Sequence, residues 1–144
     1  MIHKLGIIVP YRDRESHLEI FIPHMKNILR EINHRIVVVE QDDDKLFNRA
    51  KLLNIGYEIL KNECDYFCFH DVDLLPTEEA NYDYVEHPTL LVDTEFLDTL
   101  KGLQPCHREE YFGGATMFNK EDFEKINGFS NEYWGWGRED DDLR

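Results

Sequence analysis

The residues able to do chemistry sit in a few short polar stretches. Asp71-Val72-Asp73 sets two carboxylates one residue apart, directly behind the apolar run Tyr66-Phe67-Cys68-Phe69. On an extended segment alternate residues share a side, so both carboxylates can approach one hard cation or its bound waters. Most isolated Asp-x-Asp pairs are turn or cap carboxylates; its place at the end of an apolar strand sets this one apart. Arg12 and Arg14, within Pro10-Tyr11-Arg12-Asp13-Arg14, carry guanidinium forks of the kind that clamp phosphate oxygens, although either alone also reads as a solvated turn residue. Glu139-Asp140-Asp141-Asp142 is a carboxylate cluster at a helix start, where capping is the plain alternative. Before it, Tyr133-Trp134-Gly135-Trp136-Gly137 interleaves tryptophan with glycine, which suits a mobile flap that stacks on a sugar face. Tyr111-Phe112-Gly113-Gly114 either brings backbone close to a ligand or forms a bulge. His70 reads as a satisfied strand-end histidine rather than a ligand. Asp42-Asp43-Asp44 reads as a solvated loop, since it lacks the glycine and distal glutamate of a calcium loop.

These stretches need a scaffold, and the apolar pattern supplies one. Leu5-Gly6-Ile7-Ile8-Val9, Ile36-Val37-Val38-Val39 and Tyr66 to Phe69 are short apolar runs that read as buried parallel strands. Between them, Leu18, Phe21, Ile22, Met25, Ile28, Leu29 and Ile32 recur in steps of three and four, the mark of one helix face, with Pro23 kinking or restarting that helix. Phe47, Ala50, Leu53, Tyr57 and Leu60 mark a second helix over Leu46 to Lys61. Thr77 to His87 reads as loop, Thr89 to Val92 and Tyr111 to Phe118 as strands, and Lys120 to Ile126 as a short helix. A β-α-β-α-β order predicts right-handed crossovers and a mostly parallel, Rossmann-like α/β sheet flanked by helices. Ligands of such sheets bind beyond the carboxyl ends of the strands, so the ends at Pro10–Arg14, Glu40–Asp44 and His70–Asp73 are expected to line one crevice.

Length and charge narrow the function. At 144 residues the chain reads as one domain with room for a core. A net charge of −14 disfavours nucleic acid and anionic membrane surfaces as partners. An anionic small substrate then binds only where a cation or an arginine cluster reverses the local field. Cys64, Cys68 and Cys106 show no disulfide or zinc spacing and read as buried or idle thiols. No signal peptide or bilayer-length apolar run is seen, so the default expectation is cytoplasmic, or the Golgi lumen for a trimmed eukaryotic enzyme.

Taken together, five segments in order resemble the β-1,4-galactosyltransferase family. They are Val9-Pro10-Tyr11-Arg12-Asp13-Arg14, Phe47-Asn48-Arg49-Ala50, Asp71-Val72-Asp73-Leu74-Leu75-Pro76, Tyr111-Phe112-Gly113-Gly114 and Trp134-Gly135-Trp136-Gly137-Arg138-Glu139-Asp140-Asp141. The resemblance implies a GT-A fold and a metal-dependent, inverting transfer of galactose from UDP-galactose to a glycan acceptor. It implies that Pro10, Arg12, Arg14, Phe47 and Arg49 grip the uridine diphosphate and that Asp73 coordinates manganese. Asp71, Val72, Gly114 and Asp141 are implied at the donor site, with Tyr111 helping to select the donor sugar and Trp136 in the closing loop. Glu139 and Asp140 fall to the acceptor site, with Asp140 as general base. Arg138 and Phe21-Ile22-Pro23-His24-Met25 look more like the branch that galactosylates xylose. Family members place a further histidine metal ligand and part of the acceptor pocket beyond the position of Arg144, so residues 1–144 are expected to form a single catalytic domain incomplete at its C-terminus. Two other readings stand beside this one. One is a nucleotide-sugar or glycan-binding module without turnover. The other is a haloacid-dehalogenase-type phosphatase, disfavoured because its Asp-x-Asp follows the first strand and not the third.

Overall fold

The computed structural model describes residues 3–91, 94–98, 102–105 and 115–125. In chain order these form β1 (Leu5–Tyr11), α1 (Glu15–Ile28), β2 (His34–Glu40), α2 (Arg49–Leu60), β3 (Tyr66–His70), β4 (Leu74–Pro76), β5 (Thr89–Leu90), β6 (Thr94–Asp98), β7 (Gly102–Pro105), β8 (Ala115–Asn119) and α3 (Lys120–Lys125). The main sheet has the order β2-β1-β3-β8-β5. β1 pairs in parallel with both β2 and β3, while β8 runs antiparallel to β3 and to β5. Four of its strands therefore share one direction and only β8 opposes them, in keeping with a mostly parallel α/β sheet.

The period of two along β1 explains why this sheet is covered on both faces. Leu5, Ile7 and Val9 pack with Phe21, Met25 and Leu29 of the α1 region, whereas Ile8 packs with Leu53, Tyr57 and Leu60 of α2 and with Phe67, Phe69 and Phe118. α2 lies so close to β1 that a Cβ on Gly56 would come within 2.3 Å of Ile8 Cγ2. Only glycine lets the helix seat there.

Several expectations change in detail. α1 passes through Pro23 without a break but ends at Ile28; Leu29 and Ile32 complete the apolar face from the turn that follows, where the Ile32 amide donates to the Leu29 carbonyl at 2.9 Å. β2 is an edge strand with only Val39 buried, because among the described residues it has β1 on one side and no strand of this sheet on the other. α2 starts at Arg49 rather than Leu46, since Asn48 caps it by accepting from the Lys51 amide at 3.0 Å. The second sheet, β4-β6-β7, was not foreseen, and α1 packs along its first strand. Among the described residues no helix is long and apolar enough to cross a membrane.

Candidate functional site

β1 and β3 are neighbours, so the residues that follow them emerge side by side. A cleft of about 220 Å³ opens there, lined by Pro10, Arg12, Asp13, Arg14, Phe47, Asp71, Val72 and Asp73. All of these lie in stretches the sequence marked. Asp13, given no role of its own there, has its backbone at φ 53°, the left-handed region that aspartate tolerates better than most residues. It turns the chain from β1 into α1 and places Arg12 and Arg14 on the cleft wall. The third strand end contributes less than foreseen, since only Phe47 from the segment after β2 reaches the lining.

That segment orients Arg12. Gln41 ties it together, donating from Nε2 to Asp43 Oδ1 at 2.8 Å and to the Leu46 carbonyl at 3.0 Å, and accepting from the Asn48 amide at 2.8 Å. Asp43 is thus more than a solvated loop residue: Gln41 is the main reason its carboxyl lies below its ordinary value. The loop then presents two carbonyls, of Asp43 and Lys45, which accept from Arg12 Nη1 at 3.2 and 2.6 Å. The guanidinium carbon lies 5.7 Å from the centre of the Phe47 ring, a cation–π distance. Arg12 is held by one nitrogen and one ring face, an arrangement that aims a fork without consuming it.

On the opposite wall the acidic motif is not extended, as the one-side expectation required. β3 ends at His70, and Val72 and Asp73 form a turn in which the Leu74 amide approaches the Asp71 carbonyl at 3.4 Å. The turn still delivers both carboxylates to one cleft. Its base is fixed by buried polar contacts. His70 is fully buried, with Nδ1 2.9 Å from the Asp71 carbonyl and Nε2 3.0 Å from the Tyr82 hydroxyl. A carbonyl can only accept, so Nδ1 carries the proton and Nε2 accepts from Tyr82. The satisfied strand-end reading of His70 holds.

Arg49 lies beneath the cleft rather than in its lining. Its side chain is 2% exposed, and its Nε donates to Asp71 Oδ1 at 2.8 Å, with the Asp71 side chain 10% exposed. A cation buried to this degree is stable only beside a counter-charge, and the pair fixes one oxygen of Asp71. Asp73 is half-buried, and burial first, then the charge of Asp71, push its carboxyl above its ordinary value; Arg14 and His17 pull the other way. Two carboxylates crowded into a partly dry turn have an unmet need for positive charge, which a hard divalent cation satisfies with oxygen ligands. The donor set fits such an ion. Among the described residues no group of three or more His, Cys, Asp or Glu side chains forms a complete cation site.

His17 was missed in the sequence. It is 7% exposed, in the first turn of α1, and its Nδ1 is buried without a hydrogen-bond partner. Its only signal there was position, three residues after Arg14. Cys64 and Cys68 are buried free thiols, as expected. Tyr111, Gly114, Trp136, Glu139, Asp140 and Asp141, like Cys106 and Arg138, lie outside the described residues.

Comparison with known proteins gives this cleft a context. A family profile described as the N-terminal region of glycosyl transferase group 7 matches residues 1–85, and one described as the N-terminal domain of galactosyltransferase matches residues 103–144. The chain is 46% identical to β-1,4-galactosyltransferase 4 of Homo sapiens over 152 aligned positions, covering 99% of this chain and 42% of that protein. It is 41% identical to Homo sapiens β-1,4-galactosyltransferase 7 (98% of this chain, 42% of that protein) and 42% identical to xylosylprotein 4-β-galactosyltransferase of Caenorhabditis elegans (98% and 49%). The chain thus spans less than half the length of these relatives. Among solved structures, the catalytic domain of Drosophila β-1,4-galactosyltransferase 7 in complex with xylobiose superposes with a TM-score of 0.82 at 37% identity, over 99% of this chain and 59% of that one. A mutant of that enzyme, in complex with manganese, UDP-Gal and xylobiose, matches with the same TM-score at 36% identity, over 99% and 59%. The fold is therefore that of a galactosyltransferase catalytic domain, and with its N-terminal family profile matching more than half of its residues, the chain belongs to glycosyl transferase group 7.

Proposed function

We propose that this chain carries the donor site of a metal-dependent enzyme that transfers galactose from UDP-galactose to a sugar hydroxyl with inversion. The observation that supports it most is the cleft itself, in which Arg12, Arg14 and Phe47 face Asp71 and Asp73 across the ends of β1 and β3. Arg12 and Arg14 bind the diphosphate, Phe47 and Pro10 pack the uridine side, and Asp71, braced by Arg49, orients the donor. A divalent cation held at Asp73, manganese in the Drosophila relative's complex, supplies charge neutralisation at the diphosphate. Asp140 takes the proton from the acceptor hydroxyl as that oxygen forms its bond to the anomeric carbon. The bond from that carbon to the diphosphate breaks, and the arginines hold the charge left on the departing group, the electrostatic contribution that is usually largest. Tyr111, Gly114, Val72 and Asp141 complete the donor site, Trp136 belongs to the loop that closes over it, and Glu139 lies on the acceptor side.

The acceptor we assign is a xyloside. Arg138 and Phe21-Ile22-Pro23-His24-Met25 support this choice, as do the xylobiose complexes of the Drosophila enzyme. The test is transfer from UDP-galactose to a xyloside and to an N-acetylglucosaminide, with manganese, by the full-length protein. Asp73→Asn is expected to abolish metal-dependent donor binding. Asp140→Asn is expected to keep donor binding and lose at least about 100-fold in rate, the usual worth of a general base. Unchanged rates in both variants sink the assignment. UDP binding without any transfer by the wild type makes the protein a nucleotide-sugar-binding module instead.

A further inference from the structure

α1 and β4 lie side by side, and two contacts set how they are aligned. His24 Nε2 donates to the Pro76 carbonyl at 2.6 Å. Phe21, one turn earlier, meets the His70 ring edge-on at 5.1 Å between centres and packs with Leu74 and Leu75. Both elements start at the cleft and run away from it. His17 is seven residues before His24, about 10.5 Å along a helix axis. Asp73, in the turn that opens β4, is three residues before Pro76 and so at most about 10 Å from it. The alignment that seats His24 on Pro76 therefore sets His17 and Asp73 at the same end of the two elements, beside the cleft.

A buried ring nitrogen with no partner costs about 1–3 kcal/mol, so its persistence asks for a partner in another state of the site. His17 Nδ1 is such an atom, on a residue more than nine-tenths buried. His17 is not in the lining of the cleft, so it acts through a residue that is.

We propose that His17 is a positioning residue for Asp73, its orphan Nδ1 donating, directly or through one water, to the Asp73 carboxylate when a divalent cation is held there. The hydrogen bond fixes the carboxylate so that one oxygen faces the cation. Such outer partners of a ligating carboxylate are worth about 10–100-fold in metal affinity. The inference rests on the donor-site reading above and adds a residue to it.

The experiment measures Mn2+ binding to the full-length protein in saturating UDP, from the free-ion signal in electron paramagnetic resonance. Wild type, His17→Ala and His17→Asn are compared, and UDP affinity without metal is measured alongside. Asparagine is smaller than histidine but keeps an N–H donor near the place of Nδ1. The expected result is Mn2+ binding about 10–100-fold weaker in His17→Ala, within about threefold of wild type in His17→Asn, and unchanged metal-free UDP affinity in both. Should the alanine variant fail to fold, the asparagine variant carries the test, and a Mn2+ affinity outside that threefold range overturns the inference. Unchanged Mn2+ affinity in a folded His17→Ala overturns it while leaving the donor site standing. Equal losses in both variants also overturn it, because packing alone then explains them. A wild type that binds no Mn2+ with UDP removes the donor-site reading, and the inference with it.

Discussion

Replacing Arg49 with methionine tests the scaffold under the cleft most directly. The substitution keeps much of the side-chain volume and removes the guanidinium that donates to Asp71 Oδ1 at 2.8 Å. Asp71 stays in place, 7% exposed, as a buried carboxylate beside the half-buried Asp73. Leaving one member of a buried ion pair uncompensated costs about 3–5 kcal/mol. With an m-value of about 2 kcal/mol per molar urea, that is a fall of roughly 1.5–2.5 M in the unfolding midpoint. It is a large share of the roughly 5–15 kcal/mol that holds a domain folded. Adding Asp71→Asn on the same background removes the stranded charge, so the double variant is expected to recover more than about 2 kcal/mol of the loss, a coupling of the size found between contacting groups. Arg49→Lys keeps the charge but not the fork and falls in between. Urea titrations followed by tryptophan fluorescence and far-UV circular dichroism give the three midpoints. A cost below about 1 kcal/mol for Arg49→Met, or a second substitution that adds to the loss instead of relieving it, refutes the view that this pair is what holds Asp71 at the cleft.

Three further outcomes follow from packing and burial. Gly56→Ala drives a methyl group into Ile8 Cγ2, where only 2.3 Å is available, and is expected to cost about 1–3 kcal/mol in thermal unfolding; an unchanged melting temperature contradicts the close seating of α2 on β1. Tyr82→Phe removes the hydroxyl 3.0 Å from His70 Nε2 and is expected to cost about 1–2 kcal/mol by urea titration, with a neutral result contradicting the assigned tautomer. Burial lifts the Cys64 thiol from 9.0 to about 11 and the Tyr66 phenol from 10.0 to about 12. Both groups ionise more readily in the unfolded chain, so the stability they contribute is whole below about pH 9 and is lost as pH rises through 11 and 12. Urea midpoints measured at pH 7, 9 and 11 are expected to fall over the last step, and a flat profile counts against the burial of these two groups.

The local patterns carried much of this protein. Apolar runs of four or five residues marked β1 and β3, and steps of three and four marked the two long helices, because side-chain periods of two and 3.6 are properties of the chain alone. Placing Asp71-Val72-Asp73 and Pro10 to Arg14 at one crevice also needed only the rule that strand ends of a parallel sheet share a side. Tertiary structure decided the rest. Which strand lies beside β3 depends on β8 returning from some fifty residues away and running antiparallel, and β4 pairs with β6 in a second sheet; pairing partners leave no periodic trace. The family resemblance implied Arg49 at the uridine diphosphate, whereas the fold buries it under the cleft beside the Asp71 carboxylate 22 residues on, a pairing that nothing local in the sequence announces. The acidic motif turned out to be a turn, since what fixes its conformation is His70 held by Tyr82. Beyond its place three residues after Arg14, His17 gave no sign in sequence: whether a histidine is satisfied depends on what packs around it, and here that is the docking of α1 along β4.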